Sequence, residues 1–252
     1  MTQEFAKDNA RETSVVITQP MYFPWVGMLQ QVKRCNTLVF YNDVQYSKRN
    51  FTNRVQVKTS GGRKWLTVPL RRLERGQRIC DVGIDNRRDW QSSQRDFLRQ
   101  AFADAPYRDD MLGVVDQVFS KSYESLADVS RASMVSLMEY FELEKELVII
   151  DSETLAVEGD STQRLVDICL ALKGQHYITG HGARNYLEHE RFEEKGISVS
   201  YLDYRFSPYP QSFGDFTPYV TALDLVAHCG RLGAEYIQGG LTTWRDFIGS
   251  HG

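Results

Sequence analysis

The chain has few cysteines, no long apolar run and little excess charge of either sign, and each shortage removes a class of protein. Four cysteines, Cys35, Cys80, Cys169 and Cys229, stand far apart in 252 residues with no C-x-x-C pair. That spacing speaks against a disulfide framework or zinc knuckle, and the expectation is reduced thiols in a cytoplasmic protein with no metal. No window approaches the roughly 18 apolar residues of a membrane span. The first 13 residues, MTQEFAKDNARET, are polar and lack the apolar core of a secretory signal, so residues 1–13 are expected to form a flexible tail. The net charge of −3 gives no overall pull towards nucleic acid or membrane, so any basic site must be local. Chemical signatures are missing too. No G-x-S-x-G, Walker loop, H-E-x-x-H or complete G-x-G-x-x-G occurs, which disfavours a hydrolase triad, an NTPase and a nicotinamide enzyme.

The hydrophobic content of 42% is ordinary for a folded chain able to bury a core. Residues 14 to 19 (SVVITQ) and 38 to 42 (LVFYN) read as buried strands, with room between them for about two helical turns. This β-loop-α-β start predicts an α/β fold with a mostly parallel sheet, flanking helices and right-handed crossovers. FTNRVQVKT and KWLTVPL bracket Ser60-Gly61-Gly62 and predict a β-hairpin. From about 89 to 143 the periodicity is helical, consistent with an insertion into a single domain spanning 14–252. The α/β alternation resumes with LVII, a helix over 161–172, HYIT, a helix after Gly182, ISVSYL, and a last helix near 221–232.

Three segments draw attention as chemistry. In ITQPMYFPWVG a strand ends in two prolines and the rings of Tyr22, Phe23 and Trp25, more than a plain connection requires. The YNDVQY segment lies at the next strand end, and ligands of open parallel sheets bind beyond the strands' carboxyl ends. Both segments are therefore expected to face one cavity. Asp43 there is a candidate general base, or else an Asx-turn that merely ends the strand. The third segment, TGHGARNYL, sets glycines before a helix start, where free N–H groups with Arg184 and His181 suit an anion; His181 is the histidine best placed for acid–base work. Between residues 46 and 78 the chain is strongly basic. Lys58, Arg63, Lys64, Arg72 and Arg75 are expected on a solvated face, whereas Arg49 and Arg54 are better suited to hold phosphate. His228 and Cys229 read as core, and Thr221 with Asp224 as a helix-capping pair.

The opening strand, loop and helix resemble the start of nucleotidylyltransferases. Laid on their H-x-G-H signature, however, Gly27 matches while Trp25 and Met28 stand where the histidines would be, so only a Rossmann-like fold analogy survives. A wider resemblance rests on QPMYFPWVG, YNDVQ, NRVQVKT, WLTVPL, TGHGARNYL, YPQSF and TALDLV. This combination, spanning about Val15 to Gly233, resembles the WbqC-like protein family of bacteria. The pattern covers Gln19, Pro20, Tyr22, Pro24, Trp25, Gly27, Asp43, Gln45, Asn53, Arg54, Pro69, Gly180, Tyr186, Gln211 and Asp224, but not His181.

The resemblance implies a role in O-antigen (lipopolysaccharide) or other surface-polysaccharide biosynthesis, beside enzymes that make nucleotide-linked amino sugars. The expected activity is an acyl- or aminoacyl-transferase acting on the amine of a nucleotide-linked deoxyamino sugar. Arg49, Arg54 and the 180–184 loop would hold phosphates, Tyr22 and Trp25 would cover the sugar or base, Asp43 would take the amine proton, and Gln19, Gln45 and Asn53 would hold the acyl donor or the oxyanion. A thioester and an activated amino acid are both compatible donors, and no cysteine is well placed for a covalent intermediate. The alternative is a non-catalytic sugar-nucleotide or glycan-binding partner in a biosynthetic complex. Nucleic-acid binding through the basic hairpin with Phe51 and Trp65 is disfavoured. A homo-oligomer is compatible with these expectations.

Overall fold

Three short strands that are apolar on both faces set the centre of the molecule. In the computed structural model, which describes residues 12–250, β1 (Ser14–Thr18) is followed by α1 (Val26–Val32) and β2 (Thr37–Phe40). The hairpin is β3 (Arg54–Thr59) with β4 (Gly62–Thr67), antiparallel from Arg54↔Thr67 to Thr59↔Gly62. Then come α2 (Trp90–Ala101), α3 (Arg108–Phe119) and α4 (Leu126–Tyr140). The rest is β5 (Val148–Asp151), α5 (Ser161–Ala171), β6 (His176–Thr179), α6 (His189–Glu193), β7 (Ser198–Tyr204), α7 (Ala222–Cys229), β8 (Gly239–Thr243) and α8 (Trp244–Ser250).

Six strands form one sheet in the order β5-β2-β1-β6-β7-β8, parallel except for β8, and the hairpin is a separate two-stranded sheet. Strand side chains alternate between faces, and two cores follow from that alternation. Val16, Leu38, Phe40 and Ile178 pack against α1, α4 and α7 together with Val55, Val57 and Leu66 of the hairpin. Val15, Ile17, Val39, Tyr177 and Tyr201 point the other way, onto α5, Phe192 of α6 and Phe247 of α8.

The helix starts follow side-chain chemistry. Asp89 accepts from the Ser92 N–H, Ser125 from Ala127 and Thr221 from Leu223, each satisfying a donor that the first helical turn leaves open. Asp224 does not complete a capping box at α7. Its carboxylate lies instead 3.4 Å from His228 Nδ1, within the buried interior.

The sequence reading missed β8 and α8. Gly239 and Gly240 weaken the strand signal, and the segment becomes a strand through its antiparallel ladder with β7. The helix expected after Gly182 is a 3-10 turn, His181–Asn185, followed by the short α6. Of the expected tail, residues 1–11 lie outside the described residues. Glu12 and Thr13 are tied to the sheet, their carbonyls accepting from Asn36 Nδ2 and from the N–H groups of Gln175 and His176. No helix among the described residues is long and apolar enough to cross a membrane.

Candidate functional site

The strand order reverses between β1 and β6: the chain leaves β1 for β2 on one side and returns to β6 on the other. Two loops that diverge from adjacent strand ends leave a crevice between them, and ligands of such sheets bind there. A cavity of about 1360 Å³ lies at this point. Gln19 after β1, Asp43 after β2, Gly180 and His181 after β6, and Asp203 and Tyr204 near the end of β7 all line it.

The loop after β1 divides its aromatic residues between two tasks. Tyr22 and Phe23 are fully buried; Tyr22 donates to Gln94 Oε1 at 2.7 Å, and the two rings meet edge to face at 4.8 Å. Tyr22 therefore lies in the core and is not among the residues that line the cavity. Phe23 N–H donates to Ser133 Oγ, its carbonyl accepts from Thr221, and the Pro24 carbonyl accepts from Ala222 N–H. Buried Pro20 and Pro24 bring no N–H to satisfy, which suits a loop clamped this deeply. Trp25 turns back over Gly27: a Cβ on Gly27 would come within 2.3 Å of the indole. Only glycine leaves the ring its place on the cavity wall.

Trp25 starts an aromatic wall. Its ring centroid lies 5.0 Å from Tyr204, 5.8 Å from Phe206 and 6.4 Å from Tyr219. Gly180 leaves room for this wall, since a Cβ there would approach the Tyr204 hydroxyl to 2.8 Å. Burial pushes the Tyr204 phenol up to about 12, so it stays neutral. His181 packs on the Tyr204 ring at 4.8 Å, and its Nε2 lies 2.8 Å from the Leu202 carbonyl oxygen. A carbonyl only accepts, so Nε2 is the donor in this contact.

The opposite wall is polar. Asp43 accepts hydrogen bonds from Arg164 and from Ser152 through its two carboxylate oxygens. Arg164 also donates through Nε to the Val157 carbonyl at 3.0 Å and lies 4.9 Å over the Tyr41 ring. The two side chains are only 9% and 12% exposed. Burial raises the Asp43 carboxyl, but the Arg164 and Ser152 hydrogen bonds and the Arg164 charge outweigh it and hold the group below its ordinary value. Such a carboxylate is a weak base, and its geometry suits holding Arg164. Gly159, Asp160 and Ser161 line the cavity where α5 begins, and no side chain caps that helix.

The structure thus brings together Gln19, Trp25, Asp43, Gln45, Gly180, His181 and Tyr186 on one cavity. It does not bring the others there. Asn53 is buried, accepting from the Tyr46 hydroxyl and donating to the Val68 carbonyl. Arg54 lies 4.1 Å over Trp65 and donates to the carbonyl of Arg49, whose own φ is 64°. Arg184 is exposed on the 3-10 turn beside the cavity and does not line it. Gln211 braces its own loop, with Nε2 donating to the Thr217 carbonyl and Oε1 accepting from the Thr217 N–H.

The reading missed Tyr41, Arg164, Tyr204, Phe206 and Tyr219. Gly159-Asp160-Ser161 at a helix start was the available signal for Arg164, while the ring cluster comes from three separate segments. Lys58, expected in solvent, is 7% exposed. Burial raises all four thiols, Cys35 and Cys169 to about 12 and Cys229 to about 11, which leaves no activated cysteine. Among the described residues no cluster of His, Cys, Asp and Glu could hold a metal ion.

A mostly parallel sheet with helices on both faces defines an α/β protein, and its switch-point cavity is aromatic on one side and ionic on the other. The chain belongs to the WbqC-like protein family, whose profile matches residues 19–236. It is also similar to the uncharacterized protein Rv1507c of Mycobacterium tuberculosis (strain ATCC 25618 / H37Rv), with 28% identity over 227 residues, 89% of this chain and 97% of that protein. No solved structure matches the chain.

Proposed function

We propose that the switch-point cavity holds a nucleotide-linked deoxyamino sugar and that the protein transfers an acyl or aminoacyl group to the sugar's amine, a step in O-antigen or other surface-polysaccharide biosynthesis. The observation that carries this reading is the pairing, in one cavity, of the Trp25–Tyr204–Phe206–Tyr219 wall with the buried Arg164–Asp43 pair. Rings supply stacking faces to a base or the apolar face of a deoxysugar, and a fixed guanidinium beside an uncapped helix start suits phosphate oxygens. The family's link with O-antigen genes supports the same substrate class.

Acyl transfer forms a nitrogen–carbon bond, releases the donor's leaving group and requires a base for the amine's proton. Asp43 is engaged by Arg164 and Ser152, so the proton acceptor in this reading is His181, with its ring oriented by the Leu202 carbonyl. Asp43 acts as a positioning residue for Arg164. Gln19, Gln45 and Tyr186 complete the wall around the ligand. The engagement of Asp43 also favours a second reading, in which the cavity binds the sugar nucleotide and no transfer takes place.

The test is calorimetric titration with uridine- and thymidine-linked amino sugars, followed by mass spectrometry of mixtures containing thioester or aminoacyl donors. One sugar nucleotide should bind, and Trp25→Ala should weaken it by about tenfold or more. His181→Ala should spare binding and slow transfer by about a hundredfold or more. Binding without product under either donor class selects the second reading; no binding, or binding indifferent to Trp25→Ala, removes both.

A further inference from the structure

A second, more open cavity of about 620 Å³ lies between the hairpin tip and the 213–219 segment. Tyr219 lines both cavities, so they adjoin along one side chain. Lys58 lines the second cavity with an unusual environment for a cation. It is 7% exposed, and its ammonium donates to Gln211 Oε1 at 3.3 Å, the Gly214 carbonyl at 3.1 Å and the Asp215 carbonyl at 2.6 Å. Its partners are all carbonyl oxygens. Among the described residues no carboxylate lies within ion-pair distance of Lys58, although Asp215 also lines the cavity. A buried cation without an opposite charge is costly, and an incoming anion would offset that cost.

Exposed Arg63 adds a second positive charge on the hairpin side, also with no carboxylate partner among the described residues. Facing the two cations is a segment that presents rings. Phe213 and Tyr219 are 45% and 59% exposed, and Phe213 takes a φ of 65°, a left-handed conformation that a bulky residue adopts only when its surroundings impose it. Gln211 braces the same segment, bonded to both the carbonyl and the N–H of Thr217 and accepting from Lys58. Cations beside exposed rings, in a volume within the roughly 300–1,000 Å³ of small-molecule sites, suit a heterocyclic base joined to phosphate.

We propose that this second cavity holds the adenosine phosphate part of the acyl donor, with Lys58 and Arg63 on its phosphate, Phe213 and Tyr219 against its base, and the acyl group directed past Tyr219 into the switch-point cavity. This rests on the transferase reading, which requires two reactants. Coenzyme A thioesters and aminoacyl adenylates share that adenosine phosphate part, so the site fits the common chemistry of both donor classes. In either case the sugar amine attacks the acyl carbon and forms the N–C bond, His181 accepts the amine proton, and the bond that breaks is C–S, releasing thiol, or C–O, releasing adenosine monophosphate.

The experiment is calorimetric titration of the full chain with coenzyme A and, separately, with adenosine monophosphate, in wild type, Arg63→Glu, Lys58→Gln and Trp25→Ala. At least one probe should bind saturably, lose about tenfold or more in affinity in the two hairpin variants, and be unaffected by Trp25→Ala. Selective binding of coenzyme A assigns a thioester donor, and selective binding of the monophosphate an adenylate. Arg63 is exposed, so its variant remains informative even if Lys58→Gln disturbs the 211–217 segment. Absence of binding by both probes, unchanged affinity in Arg63→Glu, or loss of binding in Trp25→Ala overturns the proposal. Sugar-nucleotide titrations of the same variants keep the two readings apart, because that binding depends on Trp25 whatever happens at the second cavity.

Discussion

Asp43 and Arg164 are 121 residues apart in the chain and form a largely buried ion pair at the polar end of the switch-point cavity. A carboxylate held below its ordinary value releases its proton more readily when folded than when unfolded, so the pair's stabilisation is fully present above the unfolded value near pH 4 and is lost as pH falls through the lowered folded value. Asp43→Asn leaves the Arg164 charge buried without its partner. We expect a loss of roughly 3–5 kcal/mol at neutral pH, a drop of several degrees in melting temperature. The difference from wild type should narrow below about pH 4. Melting curves from pH 3 to 7 check this; equal melting at pH 7, or a gap that persists undiminished to pH 3, would show that the pair does not stabilise the fold. The sequence offered Asp43 as a residue of interest, but its partner was invisible because nothing local links positions 43 and 164.

The loop and helix after β1 act as one element. Six consecutive residues, Pro20 to Trp25, enter the interior or its margin, and α1 buries every residue from Val26 to Val32. Gly27 is the point where helix and cavity meet, because the Trp25 ring occupies the space a side chain would take. Alanine in a helix is favoured over glycine by about 1 kcal/mol, so Gly27→Ala gains propensity while displacing the indole from the cavity wall. The expected outcome is a small change in melting temperature with a loss of sugar-nucleotide affinity comparable to that of Trp25→Ala. Calorimetry on both variants decides it: unaltered affinity in Gly27→Ala would mean that the indole can move without affecting the site. The hairpin is an element of another kind. Alternation on β3 was readable, but the burial of Lys58 was not, since it depends on three carbonyl oxygens contributed by residues 211 to 215.

For the whole molecule, strand position predicts where the fold is most stable. β1 and β6 each have a hydrogen-bonded neighbour on both sides and core on both faces, whereas β4 pairs only with β3 and exposes Gly62 to Trp65. Amide hydrogen exchange should therefore be slowest in β1, β2 and β6 and much faster in β4. Mass spectrometric exchange reads this directly, and a hairpin as protected as the central strands would contradict the sheet order. Among the described residues, β8 closes one edge of the sheet through an antiparallel ladder that its Gly-Gly sequence did not announce.

By itself the sequence determined what depends on neighbours along the chain. Apolar runs gave the parallel strands, the change of period gave the helices of 89–143, Ser-Gly-Gly gave the hairpin turn, and Thr221 marked a helix start. The strand-end rule also pointed to the segments around Gln19 and Asp43 as neighbours of one cavity. Tertiary structure alone decided which rings of YFPW enter the core and which meets the switch-point cavity. It also paired Asp43 with Arg164, gathered Trp25, Tyr204, Phe206 and Tyr219 into one wall, and buried Lys58 among carbonyl oxygens. The physical reason is the range of the interactions: helix period, strand alternation and caps act over a few residues, whereas ion pairs, ring packing and desolvation act between groups that only the folded chain brings within a few ångströms.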